Sequence, residues 1–212
     1  VIRPGLYGIA DASFGDPVLL GRALLAGGAG SLQLRCKDWS VAEVAEAARA
    51  LQPACRRADV PLILNDHLVL VAAGLGDGVH LGQDDGQVDR GALPPGTLVG
   101  RSTHDLAQVH GAEADYVGFG PVFETTTKAA GDARGLAALA SACKHATVPV
   151  VAIGGVTLAR LPRVQEAGAQ AWAVIGAILR CADVAAAARG FAPSSEEGRS
   201  LEVGLGELGF GI

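Results

Sequence analysis

The sequence predicts an α/β fold in a single domain, a closed (β/α)8 TIM barrel, and three observations carry that prediction. Short runs rich in Val, Ile and Leu alternate eight times with longer Ala-rich segments of helical period. The apolar runs are nearly continuous, as in parallel strands covered by helices on their outer side. The chain has 212 residues, enough to bury a sizeable core without disulfide staples. An open doubly wound sheet is the structural alternative, but eight consecutive units close most compactly into a barrel.

In order along the chain, strands are read at residues 6–10, 31–35, 62–65, 78–81, 98–102, 116–120, 148–153 and 171–175. Helices are read at 41–57, 106–113, 136–144, 158–167 and 184–189 among the connections that follow them. Ser40, with Glu43 three residues on, has the spacing of a capping box and opens the first of these. Between Asp89 and Gly91 the connection is expected to shrink to a single turn. The barrel is assigned to residues 1–190. Residues 191–212 are assigned to a C-terminal segment, a linker at 193–198 and an apolar, Gly-rich tail at 201–212.

Composition narrows the function. Half the residues are apolar and 18% are charged, which excludes a disordered chain. A formal charge of −5 gives no sign of a nucleic-acid or anionic-membrane binder, although it says nothing about a local basic pocket. No apolar stretch reaches the length of a membrane span, and the first residues do not read as a signal peptide, so a cytoplasmic protein is expected. Cys36, Cys55, Cys143 and Cys181 form no CxxC pair, which favours reduced thiols over a disulfide framework or a zinc site. Methionine is absent, and we expect the natural start to lie elsewhere than Val1. A homo-oligomer is left open.

Barrels of this type build their sites from the loops that follow the strands. Gln33, Arg35 and Lys37 share one side of the second strand by the period-two rule. Asn65 and Asp66 end the third strand; His80, Gln83, Asp84 and Asp85 follow the fourth; Ser102 and His104 the fifth. Thr125, Thr126, Thr127 and Lys128 follow the sixth, Gly154 and Gly155 the seventh, and Ile175 and Gly176 the eighth. Each group has an ordinary reading. Arg35 and Lys37 could pair with Asp38, Asp66 and Asp85 could cap helices, the threonines could form a polar loop, and the glycines could only make turns. Taken together they describe two anion sites in one barrel mouth. One has cations (an Arg suited to bidentate contact and a Lys as a point charge) and two carboxylates suited to Mg2+. The other is built of glycine backbone and hydroxyls, suited to a single phosphate. That pairing fits a reaction that joins two phosphorylated small molecules with loss of pyrophosphate. His80 and His104 are candidates for proton transfer, with a structural hydrogen-bonding role at least as good for His80. Cys36, between Arg35 and Lys37, is a candidate for a lowered thiol pKa.

The segments Gln-Leu-Arg-Cys-Lys-Asp (33–38), Leu-Asn-Asp (64–66), Gly-Val-His-Leu-Gly-Gln-Asp-Asp (78–85) and Ser-Thr-His (102–104) resemble those of thiamine phosphate synthase. So do Ala-Asp-Tyr-Val-Gly-Phe-Gly-Pro-Val-Phe (114–123), Thr-Thr-Thr-Lys (125–128) and Ala-Ile-Gly-Gly-Val (152–156). The resemblance runs in order over residues 6–189, and His-Leu-Gly-Gln-Asp-Asp is its most specific motif. It implies a (β/α)8 enzyme that joins 4-amino-5-hydroxymethyl-2-methylpyrimidine diphosphate to a thiazole phosphate, giving thiamine phosphate and pyrophosphate with Mg2+. It implies that Asp66 and Asp85 hold the metal. Arg35, Lys37, Asn65, Ser102 and Lys128 then contact the pyrophosphate, and Gln33 the pyrimidine. Thr125, Thr127, Gly155, Ile175 and Gly176 surround the thiazole phosphate. Arg35, Lys37, Ser102 and Lys128 are the catalytic set implied, acting through charge neutralisation rather than as nucleophile or base.

Two positions depart from the family pattern. Gly176 stands where Ser is common, which removes a hydroxyl from the phosphate site. Glu124 stands where Pro is usual and adds negative charge there. Three rivals remain at this point: a thiazole phosphate tautomerase on the same barrel, a non-catalytic regulatory relative, and a sugar-phosphate barrel that needs an acid–base pair. Arg35, Lys37, Asp66, Asp85 and Lys128 argue against the tautomerase, which needs no pyrophosphate site. Loop 124–132, polar and containing Gly131, is expected to close over the substrates.

Overall fold

The structure, a computed structural model, describes residues 2–125 and 132–193. Eight parallel strands pair in chain order and close on themselves. They are β1 (Gly5–Asp11), β2 (Ser31–Arg35), β3 (Leu62–Asn65), β4 (Gly78–Leu81), β5 (Leu98–Thr103), β6 (Tyr116–Phe119), β7 (Val150–Ile153) and β8 (Ala171–Val174). The pairing of β1 with β8, Tyr7 opposite Ala173, excludes the open sheet.

The helices are α1 (Pro17–Ala26), α2 (Val41–Ala58), α3 (Leu68–Ala72), α4 (Leu106–Gly111), α5 (Gly135–His145), α6 (Leu161–Glu166), α7 (Gly176–Leu179) and α8 (Val184–Arg189). The capping box that opens α2 is formed in both directions. Ser40 Oγ accepts the Glu43 N–H at 3.3 Å, and the Glu43 carboxylate accepts the Ser40 N–H at 2.8 Å. Losing such a cap costs about 1 kcal/mol. The β4–β5 connection holds a single 3-10 turn, Arg90–Ala92, as its weak pattern predicted. Three boundaries differ from the sequence reading by more than one residue, each for a local reason. Strand β7 begins at Val150 because Pro149 has no N–H to give the ladder. Helix α4 stops at Gly111 because Ala112 turns to extended backbone. Helix α6 starts at Leu161, not 158, because the Thr157 carbonyl first accepts the N–H groups of Arg160 and Leu161 in a turn.

Alternate residues of each strand face opposite sides. Leu32, Leu34, Leu62, Leu64, Val79, Val99, Val117 and Trp172 face the helices and form the larger core with them. Each such aliphatic side chain contributes roughly 1.5–3 kcal/mol by leaving water. Tyr7, Ile9, Ile63, Tyr116, Val151, Ala171 and Ala173 fill the interior of the barrel. Gly100 is required there: a Cβ on it would collide with the Tyr116 ring and lie 2.6 Å from His80 Nδ1. Phe191 is buried and its carbonyl accepts the Trp172 indole N–H at 2.8 Å. The expected linker and tail beyond 193, and most of the expected closing loop, lie outside the described residues. Among the described residues no helix is long and apolar enough to cross a membrane.

Candidate active site

The C-terminal ends of the strands form the mouth, and every strand brings a residue to it. Gln33 and Arg35 point inward from β2, Asn65 from β3, His80 from β4 and Ser102 from β5, above the floor made by Tyr7 and Tyr116. Together with Ile153 and Ile175 they enclose a cavity of about 360 Å3. Asp11, at the end of β1, lines the same cavity and forms an ion pair with Arg35. Burial pushes the Asp11 carboxyl up, but the Ser13 hydroxyl and N–H and the Arg35 guanidinium outweigh it, so the group stays below its ordinary value.

A second cavity, about 300 Å3, adjoins the first and is lined by charge: Arg35, Lys37, Asp66, Asp84 and Asp85, with Asn65 and Ser102. Asp66 has a φ of 65°, a left-handed backbone uncommon outside glycine, fixed by its N–H donating to the His80 carbonyl at 3.0 Å. Its carboxyl is raised above the ordinary value by burial and by Asp85, against the opposing charge of Lys37, whose Nζ lies 3.9 Å away. Two carboxylates crowded on one wall attract a cation. Asp85 is held by the Gly82 N–H at 2.6 Å. Its loop is tied to β5 by Arg101, which donates to the carbonyls of Gly82 and Gly86, and by Gln83, which donates to the Ser102 carbonyl. Among the described residues no group of three or more His, Cys, Asp or Glu is placed to hold a metal, so a cation here would complete its shell from substrate and water.

A third cavity, about 490 Å3, lies on the other side of the mouth and includes Thr125, Gly154, Gly155, Ile175, Gly176 and His104. Both glycines of the pair have left-handed φ values, 94° and 65°. A Cβ on Gly154 would lie 2.5 Å from Pro121 Cα, and one on Gly155 2.5 Å from the Glu124 carbonyl. Close backbone packing of the β6 and β7 loops therefore explains the pair by itself, and the same packing lays its backbone along the cavity wall. His104 is engaged too, its Nδ1 2.5 Å from the Gly120 carbonyl.

Ser102 lines all three cavities. The mouth thus has a hydrogen-bonding pocket, a charged pocket and a glycine-walled pocket that meet at one residue. Residues 6–178 match the family model described as thiamine monophosphate synthase. The chain belongs to the thiamine monophosphate synthase family. It is 42% identical over 195 residues to the thiamine-phosphate synthase of Methylobacillus flagellatus, covering 88% of this chain and 93% of that one. It is 43% identical over 203 residues to the thiamine-phosphate synthase of Anaeromyxobacter dehalogenans, covering 92% and 90%. The solved thiamine phosphate pyrophosphorylase from Pyrococcus furiosus superposes with a TM-score of 0.81 at 29% identity, covering 94% and 96%.

Within this thiamine monophosphate synthase barrel, the structure brings together Gln33, Arg35, Lys37, Asn65, Asp66, Asp85, Ser102, Thr125, Gly155, Ile175 and Gly176 at the mouth. Thr127 and Lys128 lie outside the described residues. One expectation is overturned: the Cys36 thiol is not lowered. It faces the helix layer at 1% exposure, and burial and the Asp11 charge push it up to about 12. His80 is lowered to about 4 by burial and by Arg101, so the imidazole is neutral at pH 7 and serves as a hydrogen-bonding group.

Sequence reasoning missed Asp11, Tyr7, Tyr116, Arg101, Arg160 and Arg180. Inward period on β1 passes through Tyr7, Ile9 and Asp11, and would have flagged two of them. Arg160 and Arg180 line the third cavity, as Glu124 does. Arg160 donates to the Gly155 carbonyl at 2.7 Å and lies over the Phe123 ring, while Arg180 lies over Phe14.

Proposed function

We propose that this chain is a thiamine-phosphate synthase, joining a pyrimidine-methyl diphosphate to a thiazole phosphate with release of pyrophosphate. The observation that carries the reading is the meeting of three pockets of different chemistry at Ser102. The pyrimidine lies over Tyr7 and Tyr116 with Gln33 at its edge. Its diphosphate reaches into the charged pocket toward Arg35, Lys37 and Ser102, and Lys128 is assigned a further charge contact to it. The thiazole phosphate sits against Gly155, Gly176 and Thr125, with Thr127 from the same loop.

The crowding of Asp66 and Asp85 fits Mg2+, which these two carboxylates would hold. When bound it would neutralise charge on the leaving group. The bond between the pyrimidine methylene and the diphosphate oxygen breaks with its electron pair leaving on pyrophosphate. The lone pair of the thiazole nitrogen then forms the new bond to that carbon. Arg35, Lys37 and Ser102 stabilise the departing charge, and the barrel holds the two rings in line. Neutral His80 and the deeply buried, protonated Cys36 are consistent with chemistry that uses neither base nor nucleophile. We assign this activity to residues 1–190. A cytoplasmic setting accords with four free cysteines.

Thiamine phosphate formation from the two substrates, titrated with Mg2+, tests the reading. Product should depend on the metal, and Asp85→Ala should lower turnover at least tenfold at saturating substrate, the loss of one charged metal contact being worth 1.4 kcal/mol or more. Full activity in Asp85→Ala would remove the metal assignment. No product from folded wild type would remove the synthase assignment.

A further inference from the structure

A continuous hydrogen-bond chain crosses the barrel beneath the mouth. Gln33 Nε2 donates to the Tyr7 hydroxyl at 3.1 Å, Tyr7 and Tyr116 hydroxyls are 2.7 Å apart, Tyr116 OH is 3.2 Å from His80 Nδ1, and His80 Nε2 is 3.0 Å from Ser102 Oγ. It joins residues of five strands and ends on the hydroxyl of the residue where the three pockets meet.

With the Gln33 amide nitrogen facing Tyr7, proton counting favours one direction for the chain. An amide NH2 only donates, so Tyr7 oxygen accepts at the Gln33 end. Each phenol has one proton and the neutral imidazole has one N–H. If Tyr7 donates to Tyr116 and Tyr116 to His80 Nδ1, the imidazole proton sits on Nε2 and donates to Ser102 Oγ. Every proton inside the barrel then has an acceptor, and the one left over is that of Ser102, free to point into the mouth. In the reverse direction Tyr7 oxygen accepts twice and its own proton has no acceptor within this chain of contacts. Ser102 would then spend its proton on His80 and present lone pairs to the charged pocket, where an anion would repel them.

We propose that Tyr7, Tyr116 and His80 are positioning residues that polarise this chain, holding His80 as the Nε2–H tautomer so that Ser102 is an obligatory donor to the departing diphosphate oxygen. The proposal deepens the synthase reading and rests on it for the identity of the anion. Gly100 leaves the room in which the His80 and Tyr116 rings meet.

The test uses the full chain with 15N-labelled histidine. The His80 ring nitrogens, assigned by their absence in His80→Gln, are read by long-range proton–nitrogen correlation at neutral pH, with and without Mg2+ and inorganic pyrophosphate. The proton should sit on Nε2, and Tyr116→Phe, which keeps the ring against Gly100, should redistribute it to Nδ1. Turnover should fall about tenfold in Tyr116→Phe, the scale of one hydrogen bond to a charged oxygen. That loss should vanish when Ser102 is already Ala, because Tyr116 acts through Ser102. A Nδ1–H tautomer in the wild type, or an equal loss from Tyr116→Phe in the presence and absence of Ser102, would overturn the proposal. Absence of product from the wild type with both substrates would instead count against the synthase reading, while the tautomer spectrum still decides the direction of the chain.

Discussion

Asp11 is the residue whose removal tests the architecture of the mouth most sharply. It is 4% exposed, accepts from the Ser13 N–H at 3.0 Å and the Ser13 hydroxyl at 2.7 Å, and pairs with Arg35, whose side chain is 17% exposed. Asp11→Ala leaves a mostly buried guanidinium without its carboxylate. A fully buried pair broken in this way costs roughly 3–5 kcal/mol, and access of solvent to Arg35 from the cavity reduces that to about 2 kcal/mol. Loss of the Ser13 turn adds about 1 kcal/mol. A destabilisation of about 3 kcal/mol in a chain of this size lowers Tm by roughly 6–12 °C. The pH dependence follows the same group. Because the folded carboxyl lies below its ordinary value, its contribution is complete above the ordinary carboxylate range and is lost as the pH falls through the lower folded value. Thermal melts of wild type and Asp11→Ala should therefore converge on the acid side and separate as the pH rises toward neutrality. In turnover assays Arg35, no longer aimed at the charged pocket, should give a kcat/KM lower by about tenfold. A Tm within a degree of wild type at pH 7 would refute the reasoning, since it would mean that Arg35 does not need Asp11.

Other consequences are equally open to measurement. Arg180→Ala should raise KM for the thiazole phosphate about five- to tenfold, more than it changes kcat, because Arg180 supplies charge to a pocket with Gly at 176 and Glu at 124; an unchanged KM would show that the backbone alone suffices. Gly100→Ala should destabilise the fold by roughly 3 kcal/mol or more by driving the Tyr116 and His80 rings apart, visible as a lower denaturation midpoint. Of the four thiols, exposed Cys181 should react with a disulfide reagent within minutes at pH 7.5, while Cys36 and Cys55, buried and pushed up to about 12, should react only on unfolding; prompt modification of Cys36 would contradict its place in the helix layer.

The barrel was readable because its strands are short, apolar and evenly spaced, and because polar residues sit one after another at their ends. Arg35, Asn65, Asp66, Asp85 and Ser102 could be named from the chain alone for that reason. What the sequence does not display is which partner an inward side chain meets across the barrel. Tyr7 and Tyr116 are 109 residues apart and their hydroxyls touch only because β1 and β6 face each other across a closed sheet. Arg101 looks like an ordinary strand residue until its outward position lets it tie down the Asp85 loop. Cys36 misled for a related reason: its neighbours in sequence are cations, but period two turns it away from them into an apolar layer. Glycine carried two meanings at once, since Gly154 and Gly155 are required by the packing of neighbouring loops whether or not phosphate is bound there.

The central claim is that the three pockets are parts of one reaction centre joined at Ser102. A crystal structure of the chain with Mg2+, pyrophosphate and thiamine phosphate bound together tests it most directly. We expect a pyrophosphate oxygen within hydrogen-bond distance of Ser102 Oγ, its charge between Arg35 and Lys37, and the thiamine phosphate group against Gly155 and Gly176. Pyrophosphate bound away from Ser102, or both phosphate groups lodged in a single pocket, would contradict the account.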